Sequence, residues 1–195
     1  VNEPFISHTD LEEYLERALD HDKAVIAVDS ACQSLRDTIN QALDFVQDDE
    51  VALDSEGTET ILLPERPVIE VTSVVGPGAL ALTEGTDFVV DKKLGAIRTK
   101  TRGYRFLRGR QVYTVTYSHG YTNAVTGGMP ADTPLWPSSL RVLALTLATR
   151  IYDQMHVRQE SVGGSQTIYA APESLGLSDR ERNLLESIVG IGRRR

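Results

Sequence analysis

Between Asp87 and Gln154 the apolar pattern changes period once, from the two-residue repeat of a strand to the 3.6-residue repeat of a helix. Asp87–Arg98 reads as two strands around a turn, and Gln111–Tyr121 as a third, with Val112, Thr114 and Thr116 alternating with Tyr113, Val115 and Tyr117. A loop through Gly127, Gly128 and Pro130 then leads into a helix carrying Leu140, Leu143, Ala144, Leu147, Ala148 and Ile151. No catalytic constellation interrupts this run. A chain built this way must combine antiparallel strands with packed helices, and its function is to be sought on surfaces before pockets.

The rest of the chain extends that pattern in both directions. Thr9 and Glu12 have capping-box spacing, with Leu11, Tyr14, Leu15, Ala18 and Leu19 on one helical face behind them. His21–Asp22 breaks this helix. A longer one is expected through Val28, Cys32, Leu35, Ile39, Ala42 and Val46, ending near Asp48–Glu50, where acids oppose the helix dipole. Runs at 60–63, 68–75 and 86–91, punctuated by Pro64, Pro67, Gly76, Pro77 and Gly78, read as strands. The central helix starts either at Thr133–Pro134 or at Pro137, and flanking Val142 and Leu145 suggest cover on more than one side. Ser178 and Glu181 repeat the capping-box spacing and open a last helix with Leu184, Leu185, Ile188 and Val189.

The expected fold is therefore α+β: a small helical bundle of two N-terminal helices, a long central helix and a C-terminal helix, with an inserted antiparallel β lobe. Residues 1–195 are read as a single domain. Within it lie N-terminal helices at 1–50, the β lobe with its basic hairpin at 51–121, the central helix at 133–155, an extended loop at 156–177, and the C-terminal helix with a basic tail at 178–195.

Charge is polarised along this plan. The overall net charge is −8, yet residues 1–60 carry sixteen Asp/Glu against three Lys/Arg, a net of −13, which leaves +5 for the remainder. Lys92, Lys93, Arg98, Lys100, Arg102, Arg105, Arg108 and Arg110 crowd a short span whose only acid is Asp91. Such a cluster can follow a phosphate backbone, lie solvated, or face the acidic part of another copy and fix its register. Tyr104 and Phe106, interleaved with these arginines, offer a stacking surface for single-stranded nucleic acid, although their alternate spacing favours strand core.

Familiar chemistries find little purchase. The four histidines, His8, His21, His119 and His156, are distant in sequence and lack Cys or carboxylate neighbours at metal-ligand spacing, so no metal and no cofactor is expected. There is no Gly-x-Ser-x-Gly elbow, and the glycines at 76–78 and 163–164 lack the Lys-Ser/Thr that follows in a phosphate loop; they read as turns. Glu12, Glu13 and Glu16 describe a wet helix face. The single cysteine, Cys32, cannot form an internal disulfide and is read as a small buried apolar residue from a reducing compartment. With no signal-like N-terminus and no apolar run near 18 residues, the expectation is a soluble, non-membrane, non-enzymatic protein.

In order, Pro67–Val75, Asp87–Asp91, Leu94–Ile97, Val115–Tyr121, Pro130 with the long Leu/Ala helix, and Glu160–Gly163 resemble the head-to-tail adaptor proteins of long-tailed bacteriophages, also called head-tail connector or head completion proteins. The resemblance runs from about Leu62 to Tyr169.

The resemblance implies a structural virion protein at the neck, the head-tail interface, assembled in the bacterial host cytoplasm. It implies a homo-oligomeric ring, usually of twelve copies, that docks under the portal protein, extends the DNA channel, completes the head and helps retain the genome until ejection. The next neck or tail protein would dock on it, and packaged DNA would pass through the lumen without sequence readout. Within that frame Ile191, Arg193, Arg194 and Arg195 are expected to contact the portal. Val162, Gly163, Gly164, Ile168 and Tyr169 are expected to meet a neighbour or partner as an added strand. Lys92, Lys93, Arg102, Arg105, Arg108 and Arg110 are expected to touch another subunit or DNA. The alternatives are another neck or tail-terminator ring protein, or a nucleic-acid-binding protein using the basic hairpin 92–110.

Overall fold

A computed structural model describes residues 4–39, 42–157 and 177–189. The chain divides into two compact units, one from Val1–Asn40 with Trp136–Arg195 and one from Gln41–Leu135.

The first unit is helical. Among the described residues it contains α1 (His8–Leu15), α2 (His21–Thr38), α3 (Ser138–Val157) and α4 (Asp179–Val189). α2 buries Ala24, Ala27, Val28, Ala31, Cys32 and Leu35, and packs on α3, whose Leu140, Ala144, Leu147 and Ala148 are fully enclosed. Alanines on both partners let the two axes approach closely, so the larger leucines interlock. Burying Leu140 or Leu147 contributes about 2 kcal/mol each. The burial that serves packing also pushes the Cys32 thiol up from its ordinary value.

Polar links fix this unit at its rim. Arg17 pairs with Asp153 at 2.9 Å, Arg141 with Asp10 at 3.1 Å and Arg150 with Glu181 at 2.8 Å, while the Asp20 amide donates to the Tyr152 hydroxyl at 3.0 Å. Trp136 stacks at 4.2 Å on Phe5, whose ring also lies 4.3 Å from the Arg36 guanidinium.

The ends of these helices correct several expectations. α1 is capped by Ser7 with Asp10, not by Thr9 with Glu12: the Asp10 amide donates to Ser7 Oγ at 3.0 Å, and the Ser7 amide donates back to Asp10 Oδ2 at 2.6 Å. Glu12 instead accepts from the Leu19 amide at 3.0 Å. At α4 the expected pair is present, with Ser178 Oγ accepting from the Glu181 amide and Glu181 Oε2 accepting from the Ser178 amide. α3 takes the later of its two starts, where the Pro137 carbonyl accepts from Leu140 and Arg141. Of its two flank residues Val142 is 53% exposed and Leu145 half-buried, while α1, α2 and α4 all pack against the helix.

The second unit overturns the fold expected from sequence. Gln41–Leu135 is not a lobe set into a small helical bundle. It carries seven strands in two antiparallel sheets around a core of its own. These are β1 (Val46–Ser55), β2 (Thr60–Leu62), β3 (Val68–Gly76), β4 (Leu80–Leu82), β5 (Phe88–Asp91), β6 (Ala96–Thr99) and β7 (Gly109–His119). One sheet has the order β1-β7-β3-β4 and the other β2-β6-β5. Val68, Val74, Tyr113, Val115 and Tyr117 from the first meet Ile61, Phe88 and Ile97 from the second, with Leu63 and Phe106 completing the core.

The difference begins at residue 39. α2 stops at Thr38, Ile39 is already extended, and Val46–Ser55 pairs with β7 instead of continuing the helix. Ile39, Ala42 and Val46 matched a helical spacing, but from Val51 onward a period of two prevails, with Val51, Leu53 and Ser55 turned inward. β7 needs a partner on each side, and β1 supplies one of them. The acids at 48–50 therefore lie on a strand and oppose no helix dipole.

Two bulges tune this ladder. Asp48 (φ 50) lies at a register shift in β1, its amide donating to Ser118 Oγ at 3.2 Å and its carboxylate accepting from Thr72 Oγ1 at 2.7 Å. Gln111 (φ 49) lies at the other shift, its amide held by Asp54 Oδ1 at 2.7 Å. Beyond β7 the chain passes very close to the backbone of residues 44–45. A Cβ on Gly120 (φ +96) would collide with the Asp44 carbonyl, so this position requires glycine.

Candidate interaction surface

The eight cations between Lys92 and Arg110 do not form one uniform patch. Three are engaged locally. Lys92 pairs with Asp132 at 2.9 Å, and that hydrogen bond holds the Asp132 carboxyl below its ordinary value of 3.8. Arg98 lies 3.6 Å from Asp91, and Lys100 Nζ donates to the Gly85 carbonyl. Lys93 is exposed in the β5–β6 turn, where the Leu94 amide donates to Asp91 Oδ1 at 3.1 Å.

Beyond β6 the situation differs. Arg102, Arg105, Arg108 and Arg110 are exposed and make no ion pair among the described residues. They project from the 100–108 loop and the first turn of β7, which the backbone pins from several sides. The Phe106 amide donates to the Thr58 carbonyl at 2.9 Å, the Leu107 amide to the Tyr113 hydroxyl at 2.8 Å, and the Gly103 amide to Glu59 Oε1 at 3.3 Å. Thr99 Oγ1 donates to the Tyr104 carbonyl at 2.8 Å. Phe106 is only 5% exposed and meets the Tyr113 ring edge-on at 5.2 Å, so the loop is plugged into the core.

That anchoring separates two aromatics that alternate in sequence. Phe106 is core, whereas Tyr104 is 71% exposed and Leu107, beside it, 63% exposed; neither aromatic lies in a strand. The nearby acids Asp54 and Glu59 accept backbone amides and leave the guanidiniums unpaired. The result is a basic finger anchored through its backbone, on which Tyr104 and Leu107 are exposed as well. Its arginines and exposed tyrosine are residue types enriched at interface hot spots.

The other expected contact residues divide sharply by position. Ile191, Arg193, Arg194 and Arg195, and likewise Val162, Gly163, Gly164, Ile168 and Tyr169, lie outside the described residues. The fold also brings together two histidines that are distant in sequence: the His8 and His21 rings meet edge-on at 4.5 Å in the helical unit. Among the described residues no three His, Cys, Asp or Glu side chains gather as metal ligands, and no helix is long and apolar enough to cross a membrane.

His119 is enclosed at the end of β7. Its Nε2 faces Asp49 Oδ2 at 3.3 Å, its ring lies 5.0 Å from that of Tyr117, and its Nδ1 has no hydrogen-bond partner. Burial pushes the Tyr117 hydroxyl well above its ordinary value, and this hydroxyl accepts from the Glu65 amide at 3.2 Å. These groups serve the sheet's packing. A groove of about 470 Å³ in the β unit is lined by Glu70, Glu84, Lys92 and Asp132 among others, and its lysine is the one already paired with Asp132.

The acidic N-terminal helices, one of the counterparts expected for the basic cluster, carry a continuous exposed stripe on α2. Asp22, Ile26, Asp29, Gln33 and Asp37 are all exposed and fall on one stripe, with Ile26 54% exposed among the acids. Their spacing of four, three, four and four residues is the signal that marks it.

No family model matches the chain, and no curated protein is significantly similar to it in sequence. Among solved structures, one described as "Neck of empty GTA particle computed with C6 symmetry" is similar with a TM-score of 0.49 and 14% identity, over 93% of this chain and 88% of that chain.

Proposed function

We propose that this chain is a structural neck component of a tailed-phage-like particle. In this reading it forms a ring between portal and tail, extends the DNA channel, completes the head and makes or breaks no covalent bond. What supports the reading is the order of the segments that carry the resemblance to head-to-tail adaptors. Residues 67–75, 87–91, 94–97 and 115–121 contribute β3, β5, β6 and β7 in turn, and the Leu/Ala helix is α3. Four of the matched segments thus supply strands and a fifth supplies α3, so the resemblance rests on regular elements and not on scattered turns.

The finer assignments follow from the same reading. The ring has about twelve copies by the resemblance, the tail Ile191 with Arg193–Arg195 reaches the portal, and Val162–Tyr169 adds to a neighbour. Mixing the purified protein with candidate portal rings and measuring the mass of the product tests the core of it. A stoichiometric ring-on-ring complex is expected, and deleting Gly192–Arg195 should weaken that complex without unfolding the chain. Absence of any complex with portal rings, by a folded and concentrated protein, would refute the neck assignment.

A second reading has one specific observation behind it. Four exposed, unpaired arginines beside Tyr104 suit a phosphate backbone with a stacking base. It requires saturable binding of short DNA by the isolated chain, with affinity falling steeply as salt rises.

A further inference from the structure

The basic finger and the acidic stripe of α2 have matching chemistry. The finger presents Arg102, Arg105, Arg108 and Arg110 together with the exposed Tyr104 and Leu107. The stripe presents Asp22, Asp29 and Asp37 around an apolar centre, Ile26. Asp22 and Asp29 flank Ile26 at roughly 6 and 4.5 Å along the helix axis, so two guanidiniums can straddle one aliphatic contact. The opposite face of α2 is occupied by its own unit, through Ala24, Val28, Cys32 and Leu35.

We infer that the finger of one copy docks on the α2 stripe of a second copy, and that this contact joins neighbours in the ring; the inference rests on the ring reading above. One feature favours a second copy over DNA as the occupant, and two more suit docking on either. Tyr104 can stack on a base, but the exposed aliphatic Leu107 has no matching group on a nucleic acid, whereas Ile26 offers it one. Asp54 and Glu59 accept backbone amides, and the four arginines make no ion pair among the described residues, which leaves them for a partner. Finally, the loop is pinned by Phe106 and its amide bonds, so little conformational freedom is lost on docking. Unless two copies exchange it reciprocally, the contact is heterologous, and repeating it from copy to copy generates a closed ring or a filament.

Charge reversal tests the pairing. The full-length protein, Arg105→Glu/Arg108→Glu, Asp22→Arg/Asp29→Arg and the four-site combination are compared by sedimentation equilibrium, with circular dichroism to establish that each is folded. Each double variant is expected to weaken self-association about a hundredfold, and the combination to recover most of it. Wild-type association should also fall as NaCl rises from about 50 to 500 mM.

Wild-type rings with both double variants still assembled would overturn this contact and leave the ring reading intact. A combination that stays dissociated while folded would overturn the pairing of these two surfaces. If Arg105→Glu/Arg108→Glu abolished binding to a short DNA duplex while assembly mass was unchanged, the finger would be a DNA contact and the inference wrong. A wild-type chain that remained monomeric up to about 1 mM would remove the contact, and one that also formed no complex with portal rings would remove the ring.

Discussion

The helical and β units reach a buried core by different means. In the helical unit side chains do the work: alanines on α2 and α3 set the spacing, leucines fill it, and ion pairs such as Arg141–Asp10 tie the rim. In the β unit the backbone carries more of the load. β7 is paired on both sides, two bulges with left-handed residues adjust its register, and Gly120 allows two backbone segments to touch. The first unit should thus be sensitive to loss of volume, and the second to loss of conformational freedom.

The largest effects test that contrast directly. Leu147→Ala is expected to destabilise the helical unit by about 2–5 kcal/mol, through lost burial and the cavity left behind. Trp136 is the chain's single tryptophan and packs within that unit, so its fluorescence during urea unfolding reports the change. Gly120→Ala is expected to cost the β unit about 3 kcal/mol or more, from strain at positive φ and the collision with Asp44. Its readout is hydrogen exchange on β1 and β7. Should Gly120→Ala move the Trp136 transition as far as Leu147→Ala does, the two units unfold together and the contrast fails.

Acid sharpens the comparison. For Glu181, burial is the strongest single influence and raises its pKa, yet hydrogen bonds from Ser178 and the Arg150 guanidinium together outweigh it and hold the carboxyl below 4.5. Asp10 behaves alike: burial raises it, and Ser7 with Arg141 brings it below 3.8. A carboxyl depressed in the fold contributes stability above its unfolded pKa and loses it as pH falls through the folded value. The helical unit should therefore weaken from about pH 4.5 downward, and Glu181→Gln should flatten that decline in Trp136 melts. The depressed carboxyl of the β unit, Asp132, is on an exposed pair screened by water and salt, so Asp132→Asn should change acid stability little. Equal acid loss in Glu181→Gln and wild type would remove the assignment.

The smallest effects concern helix starts. Ser7→Ala and Ser178→Ala should each cost about 1 kcal/mol, and Thr9→Ala no more than about 0.5. A Thr9→Ala cost matching that of Ser7→Ala, measured as urea midpoints, would return the α1 cap to the residue the spacing first suggested.

Much of the helical unit was legible because its signals are local. The α3 stripe, the Ser178–Glu181 box and the burial of Cys32 follow from spacing and composition over a few turns. The α1 cap was misread because Ser7–Asp10 and Thr9–Glu12 carry equivalent spacing, and only the path of the incoming chain chooses between them. At the finger the cluster of cations was visible, but not its division into engaged and unpaired members. Lys92 lost its availability to Asp132, forty residues away in sequence, and Tyr104 parted from Phe106 because one ring found Tyr113 and the other did not.

The sequence by itself determined that strands give way to helix, that charge is polarised along the chain, and that cations crowd residues 92–110. These properties depend on periodicity and composition, which neighbouring residues decide among themselves. Tertiary structure decided that residues 46–55 are strand and not helix, that the strands close into two sheets with a separate core, and which arginines stay free. Those outcomes depend on partners far along the chain: β1 exists because β7 has an unpaired side to fill, and no local pattern records that vacancy.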